Sequence, residues 1–333
     1  KVEKRDVLME RKDEAAAKVT FREAATQYHS ENKAGWKSAV YARQWLASLE
    51  NYAFPKLGDM PTGSIAAADI IDVLTPIWQE IPETARQVRN RICAVLDYAH
   101  AKGWRSTEAP SGNSSLKAGR GLPRQIKKAQ NRKAMPYVAI PSFLTALRRK
   151  PSFGRFALDL LILTGTRSQE VRLATWEEFD LEAGVWDLSK ERSKTGASIT
   201  IPLPTQAIEW LTVLHGHACG SPYVFPARRV SKRPHMGPDT LNRAISKLFG
   251  REPGRKVQPP NKMGDLEHFT IHDLRRTFRS LAAAEGVPSH VAERCLNHKL
   301  KGVEGIYDRY DYFEERKVAH QKVASLIETL THP

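Results

Sequence analysis

The chain has 333 residues, 41% of them hydrophobic, and its 52 Lys and Arg residues outnumber its 37 Asp and Glu residues to give a net charge of +15. This length predicts two domains with buried cores, and the charge favours a polyanionic partner such as nucleic acid. Three widely spaced cysteines exclude a disulfide framework, and no run of roughly 18 apolar residues could span a membrane. We therefore expect a cytoplasmic protein without membrane contact.

The first part of the chain is predicted to be helical. Residues 1–19 begin with Lys rather than Met and form a charged run, which predicts a helical connector. Residues 20–105 predict a compact domain of four helices, because Thr20 and Glu23 have the spacing of a capping box and apolar residues recur at helix spacing after them. The predicted helices start near residue 21, near residue 45 with an end at Pro55, and span about 68–80 and 83–102.

A basic segment follows the helical domain. Residues 106–140 are rich in Ser, Gly, Pro and Lys and predict an interdomain linker. No acidic residue occurs between Glu108 and Asp159, whereas eleven Lys or Arg residues do, which predicts a surface that follows a DNA backbone; the alternative is a solvated linker. The residues predicted to contact DNA are Lys117, Arg120, Arg124, Lys127, Lys128, Arg132 and Lys133.

Residues 141–333 predict a second, mainly helical domain with one hairpin. Alternating residues at 185–188 and 199–203 predict two strands joined by a turn that contains Lys194. The predicted helices span about residues 156–163, 205–214, 238–249, 274–285, 288–296 and 313–330. The predicted fold class is therefore mainly α with a small antiparallel β-sheet.

Several residues of the second domain are suited to chemistry on a phosphodiester. Arg167 lies in a Gly-containing turn where Glu170 would hold its guanidinium, although the same pattern fits a surface helix start. His272 and Arg275 are one helical turn apart and share a face. Planar guanidinium groups can grip phosphate oxygens as charge builds on them. Cys295 has a histidine three residues later but no second such pair nearby, so no zinc site is predicted.

The chain resembles the tyrosine recombinases, and more narrowly the P4-type integrases of prophages and genomic islands, over about residues 20–331. The residues that carry the resemblance, in chain order, are Arg167, Lys194, His272, Arg275, His298 and Tyr307. The resemblance implies a core-binding (SAM-like) helical domain at 20–105 and a catalytic domain of the DNA breaking-rejoining fold at 141–333. It also implies that residues 1–19 connect to a missing N-terminal domain that binds arm-type DNA sites.

The resemblance also implies a role for each residue. Tyr307 would be the nucleophile that forms a 3′-phosphotyrosine, with Tyr310 and Tyr312 as rivals that are expected to pack instead. Lys194 would protonate the departing 5′-oxygen. The remaining implied roles are stabilisation of the phosphorane by Arg167 and Arg275, hydrogen bonding or proton transfer by His272 and His298, and support of the arginine pocket by Glu170. Neither a metal nor another cofactor is implied.

The implied partner is double-stranded DNA at core-type attachment sites in the bacterial nucleoid, with accessory DNA-bending proteins as candidates. The last helix is expected to close its own domain or to assemble a homotetramer on DNA, with the charged residues 314–317 as a hinge. Its predicted apolar face comprises Val318, Ala319, Val323, Leu326, Ile327 and Leu330.

Two alternative functions stay open: a type IB topoisomerase, and a DNA-binding architectural protein or repressor without catalysis. The chain also departs from the family pattern at Asn297, where most members carry glycine before the second histidine. Because asparagine tolerates the left-handed backbone conformation, we expect the turn to be preserved.

Overall fold

The computed structural model describes residues 19–36, 38–110, 116, 121–125, 135–227, 233–298, 308 and 310–331. Within them the chain is mainly helical with one small sheet, so the predicted fold class is confirmed. The described α-helices are α1 (Phe21–Asn32), α2 (Ala39–Tyr52), α3 (Phe54–Leu57), α4 (Ala67–Trp78), α5 (Pro82–Ala101), α6 (Ile140–Arg148), α7 (Phe153–Thr164), α8 (Ser168–Arg172), α9 (Thr205–Gly216), α10 (Thr240–Leu248), α11 (Ile271–Ala284), α12 (Ser289–Cys295) and α13 (Phe313–Thr331). None of these is long and apolar enough to cross a membrane.

The chain divides into two compact units, Lys1–Ala129 and Gln130–Pro333. In the first unit, helices α1 to α5 surround a core that includes Phe21 and Leu49. The backbone N–H of Thr20 donates to Glu23 at 2.9 Å and closes the predicted capping box. The second helix ends at Tyr52 rather than Pro55, because that proline lies in the first turn of α3, where its missing N–H costs no hydrogen bond.

Part of the predicted linker packs on the first unit. Leu116 and Leu122 are buried in its core, and the indole N–H of Trp78 donates to the Pro123 carbonyl at 2.7 Å. The described residues between 106 and 125 are therefore held by the helices and are not a free tether. Arg124 is exposed. The other predicted DNA contacts lie outside the described residues: Lys117, Arg120, Lys127, Lys128, Arg132 and Lys133.

The second unit is built around α7, in which every side chain from Ala157 to Thr164 is buried. Helices α9, α10, α11 and α13 contact it. The strands β1 (Phe179–Asp180), β2 (Val185–Leu188) and β3 (Ile199–Pro202) form an antiparallel sheet in that order. The predicted hairpin pairs Trp186 with Ile201. Neither α6 nor β1 was predicted from the sequence.

Helix α13 packs on its own unit, where Ala319, Val323 and Ile327 are buried. Val318, predicted on this face, is instead 56% exposed. Residues 314–317, predicted to act as a hinge, form the first turn of α13, and Arg316 is fully buried. Its guanidinium donates to the Thr200 carbonyl at 2.8 Å, so the start of the helix is fixed to β3.

Candidate active site

The turn after α7 places Arg167 beside a buried carboxylate. Gly165 ends α7 with a φ of +64°, and a Cβ there would lie 2.7 Å from Phe278, so only glycine fits. The backbone N–H of Arg167 donates to Glu170 Oε2 at 2.7 Å, and its Nη1 donates to Oε1 at 3.0 Å. Since Glu170 is only 3% exposed, this pair fixes both the main chain and the side chain of Arg167.

Arg275 lies in the interior and joins three segments of the chain. It extends from α11, is 4% exposed, and donates from Nη1 to the Gly165 carbonyl at 2.5 Å and from Nη2 to the Leu296 carbonyl. Burial, and to a smaller extent the charge of Arg167, lower the pKa of Arg275 to about 10. The guanidinium therefore stays charged at neutral pH.

His298 contacts Arg275 on one side and Glu293 on the other. Arg275 Nη2 lies 3.1 Å from His298 Nε2, and His298 Nδ1 lies 2.7 Å from Glu293 Oε2. A guanidinium can only donate, so Nε2 accepts and Nδ1 carries the proton that Glu293 accepts. Partial burial raises the pKa of Glu293, but hydrogen bonds from His298 and Arg279 bring it below its ordinary value. The carboxylate thus fixes the tautomer of the histidine.

Lys194 lies in the turn between β2 and β3 and is exposed. The preceding Arg192 donates to Glu178 at 2.6 Å and to the Glu170 carbonyl at 2.9 Å. At the next residue, Asn297 Nδ2 donates to Ser193 Oγ at 3.1 Å. Asn297 has a φ of +47°, which confirms the expected left-handed conformation. The lysine turn is therefore connected to the helix that follows Arg167 and to the turn that carries His298.

The structure brings four predicted site residues into one connected group: Arg167, Glu170, Arg275 and His298. His272 is exposed in the first turn of α11. Tyr307 lies outside the described residues, as do residues 299–306. Sequence reasoning missed Glu293, whose position five residues before His298 carries no local motif.

The two rival tyrosines differ in their surroundings. Tyr310 is 60% exposed, and its ring packs edge-on against that of Tyr312 with centroids 4.8 Å apart, so it packs only in part. Tyr312 is half-buried, and its hydroxyl donates to Asp308 at 3.0 Å. This hydrogen bond raises the pKa of Tyr312 and disfavours the phenolate that an attacking tyrosine must become.

Two family descriptions match the chain: the phage integrase central domain over residues 21–114, and the phage integrase family over residues 136–312, more than half of the chain. The chain belongs to the phage integrase family. It is a site-specific recombinase of the tyrosine type, as the order of its site residues predicted.

Similar proteins are integrases of prophages and phages. Prophage integrase IntZ of Escherichia coli (strain K12) is 28% identical over 313 residues, which cover 93% of this chain and 71% of that protein. The integrase of Enterobacteria phage P4 is 24% identical over 254 residues, which cover 72% of this chain and 56% of that protein.

The structural comparisons show the same fold in lambda integrase. A lambda integrase dimer bound to a COC′ core site matches with a TM-score of 0.65 and 19% identity, covering 93% of this chain and 82% of that chain. A lambda integrase tetramer bound to a Holliday junction matches with a TM-score of 0.63 and 19% identity, covering 88% of this chain and 78% of that chain.

Proposed function

We propose that this chain cleaves and rejoins double-stranded DNA at core-type attachment sites through a 3′-phosphotyrosine, and thereby integrates and excises a mobile element. The observation that carries the proposal is the convergence of Arg167, Arg275 and His298 from three separate segments. The DNA named with the lambda integrase structures and the prophage origin of the relatives support this substrate.

In the proposed cleavage step, the Tyr307 oxygen attacks the scissile phosphorus. A bond forms between that oxygen and phosphorus while the bond from phosphorus to the 5′-oxygen breaks, so the energy of the phosphodiester is kept and no high-energy cofactor is consumed. The guanidinium groups of Arg167 and Arg275 stabilise the charge that develops on the non-bridging oxygens. Because Glu170 and two backbone carbonyls already fix these groups, little reorganisation is needed.

Two protons must move in this step. When the phosphate takes the place of His298 beside Arg275, the lone pair on His298 Nε2 becomes free and accepts the phenolic proton. Glu293 then stabilises the imidazolium that results. The ammonium of Lys194 gives its proton to the departing 5′-oxygen. His272, exposed on the face of α11 that also carries Arg275, donates a hydrogen bond to the phosphate.

Three parts of the chain have different roles in the proposed reaction. The helical unit, residues 20–105, binds the core site, the basic segment 106–140 contacts the DNA backbone, and residues 141–333 carry the chemistry. The proposed assembly is a homotetramer on DNA in the bacterial nucleoid, aided by accessory DNA-bending proteins. Exchange of α13 between protomers would re-form in a partner the contacts that α13 makes in its own unit.

The decisive experiment replaces the proposed nucleophile. Tyr307→Phe should form no covalent adduct with a nicked suicide duplex that carries the chain's own core site, mapped by sequencing the joints it forms in cells. Its affinity for that duplex should be unchanged, because only the attacking oxygen is lost. Tyr310→Phe and Tyr312→Phe are matched controls that should still form the adduct. An adduct in Tyr307→Phe, or its loss in either control, would overturn the assignment.

The basic segment is tested by the salt dependence of binding. Neutralising Lys127, Lys128, Arg132 and Lys133 together should flatten the slope of log affinity against log salt by about one unit for each lost phosphate contact. Neutralising Lys317 and Lys322, exposed on α13, is the control and should leave the slope as it was. An unchanged slope in the first variant would remove the segment from the DNA interface.

A further inference from the structure

We propose that Asn297 is a positioning residue for Lys194, because its side-chain amide holds the neighbouring Ser193 and so connects the histidine turn with the lysine turn. The inference rests on the proposed role of Lys194 as the proton donor to the 5′-oxygen. Asn297 lies in a different segment of the chain, 104 residues away from Ser193. Its side chain would therefore help to place a proton donor that belongs to another turn.

The hydroxyl of Ser193 is the point of contact. Ser193 is only 6% exposed, and its Oγ lies 3.1 Å from Asn297 Nδ2 and 2.8 Å from Thr195 Oγ1. Ser193 and Thr195 are the residues on either side of Lys194, so this hydroxyl pair fixes the main chain where the lysine begins. The lysine side chain itself is exposed, and the position of its amine depends on that main chain.

The residue before Ser193 also holds the turn. Arg192 donates to the carbonyl of Glu170 and to the carboxylate of Glu178, which connects the turn to the arginine pocket and to the sheet. The bond from Asn297 is the described side-chain contact that ties the turn to the segment carrying His298. With both contacts present, the turn that carries Lys194 is held next to the turn that carries His298.

The backbone of Asn297 makes a clean substitution available. Its φ of +47° is a conformation that glycine adopts without strain, so Asn297→Gly removes the amide and preserves the turn. Loss of the amide should let the lysine turn move relative to the scissile phosphate, and small misplacements of a catalytic group slow the step that depends on it. That step is the departure of the 5′-oxygen, which needs a proton.

A sulfur atom in place of the 5′-oxygen separates positioning of the acid from every other effect, because a thiolate departs without protonation. On the nicked duplex with oxygen, Asn297→Gly should form the covalent adduct about tenfold more slowly, the size of one lost hydrogen bond. On the duplex with 5′-bridging sulfur, it should react at the rate of the unaltered protein. Ser193→Ala should behave in the same way, and the double variant should be no slower than either single one.

Asn261→Gly is the matched control, because the Asn261 amide also closes a turn, donating to the Gly264 carbonyl at 2.9 Å. It should react with both duplexes as the unaltered protein does. Equal slowing of Asn297→Gly on oxygen and sulfur, or no slowing, would overturn the inference. Lys194→Ala separates the two proposals: if sulfur does not restore it, the acid role itself is wrong.

Amide hydrogen exchange measures the position of the turn without DNA. Residues 189–196 should exchange faster in Asn297→Gly than in Asn261→Gly, because the turn has lost the contact that holds it. Equal exchange in the two variants would show that Asn297 does not hold the lysine turn, whatever the result with sulfur.

Discussion

The buried arginine site and the exposed lysine turn hold their charged groups in opposite ways. Arg275 is enclosed, and two backbone carbonyls and a histidine contact its guanidinium. Lys194 projects from a turn whose neighbours are fixed while its own side chain is exposed. Both are proposed to act on the same phosphate.

Because of this difference, loss of the buried cation and loss of the exposed cation should affect stability differently. A buried cation that satisfies backbone carbonyls is part of the core, so its removal disturbs stability as well as rate. An exposed cation on a turn contributes little to stability, so its loss should slow the chemical step and leave the stability unchanged. The two regions therefore predict different effects of substitution on the urea midpoint and on the rate of adduct formation.

Arg275→Ala should give the largest effect. Adduct formation should slow by on the order of 100-fold or more, because a preorganised charge donor is lost. The carbonyls of Gly165 and Leu296 also lose their partner, so the urea midpoint should fall. The duplex with 5′-bridging sulfur should not restore the rate of adduct formation.

Lys194→Ala is the counterpart of that variant. It should unfold at the same urea concentration as the unaltered protein and recover its rate with the 5′-sulfur duplex. A comparable loss of stability in Lys194→Ala, or normal stability in Arg275→Ala, would contradict the distinction between the two regions.

Two glycines with similar backbone angles sharpen the comparison. Gly165 and Gly196 have φ values of +64° and +71°. A Cβ at Gly165 would meet Phe278 at 2.7 Å and Leu296 at 2.8 Å, whereas a Cβ at Gly196 would have no described atom within 4 Å. Gly165→Ala should cost about 2–4 kcal/mol of unfolding free energy, from backbone strain and overpacking together. Gly196→Ala should cost about 1 kcal/mol, from strain alone. Urea denaturation measures both, and equal losses would show that the turn after α7 is not tightly packed.

The sequence predicted most of the helices because their apolar residues recur at helix spacing. The exceptions have physical reasons. Helix α6 carries Pro141 in its first turn. Proline is compatible with a helix at that position, but in a sequence pattern it usually indicates the end of a helix or a turn. Strand β1 has two residues, too few for an alternating pattern.

The candidate site was predictable to the extent that its residue types occur in a recognisable order. That order gave Arg167, Arg275 and His298, whose contacts the structure describes, whereas the role of Tyr307 stays a prediction. The contacts of Glu293 and Ser193 depend on how distant turns meet in the fold. No local spacing encodes a hydrogen bond between residues 104 positions apart.

His320 is buried in the same core as Phe278, which should make the fold sensitive to acid. The His320 ring packs edge-on against Phe278, the side chain that also lines Gly165, with ring centroids 5.3 Å apart. Its Nδ1 donates to the Pro202 carbonyl at 2.7 Å, and its Nε2 has no partner among the described residues. Burial, together with the charge of Arg316, lowers the pKa of His320 to about 4, although the bond to Pro202 opposes this.

The direction of the pH effect follows from this lowered pKa. Between pH 6.5 and about 4 the unfolded chain binds a proton at His320 that the folded chain does not, so stability falls as the pH falls through this window. From pH 7 to pH 5 the loss should be about 2 kcal/mol. His320→Asn retains a donor for the Pro202 carbonyl but does not titrate, so urea denaturation at the two pH values should differ by about 2 kcal/mol less than in the unaltered protein. Lys194→Ala, which alters the exposed turn, should retain the full pH dependence of the unfolding free energy. The same acid sensitivity in His320→Asn as in the unaltered protein would show that another buried group is responsible.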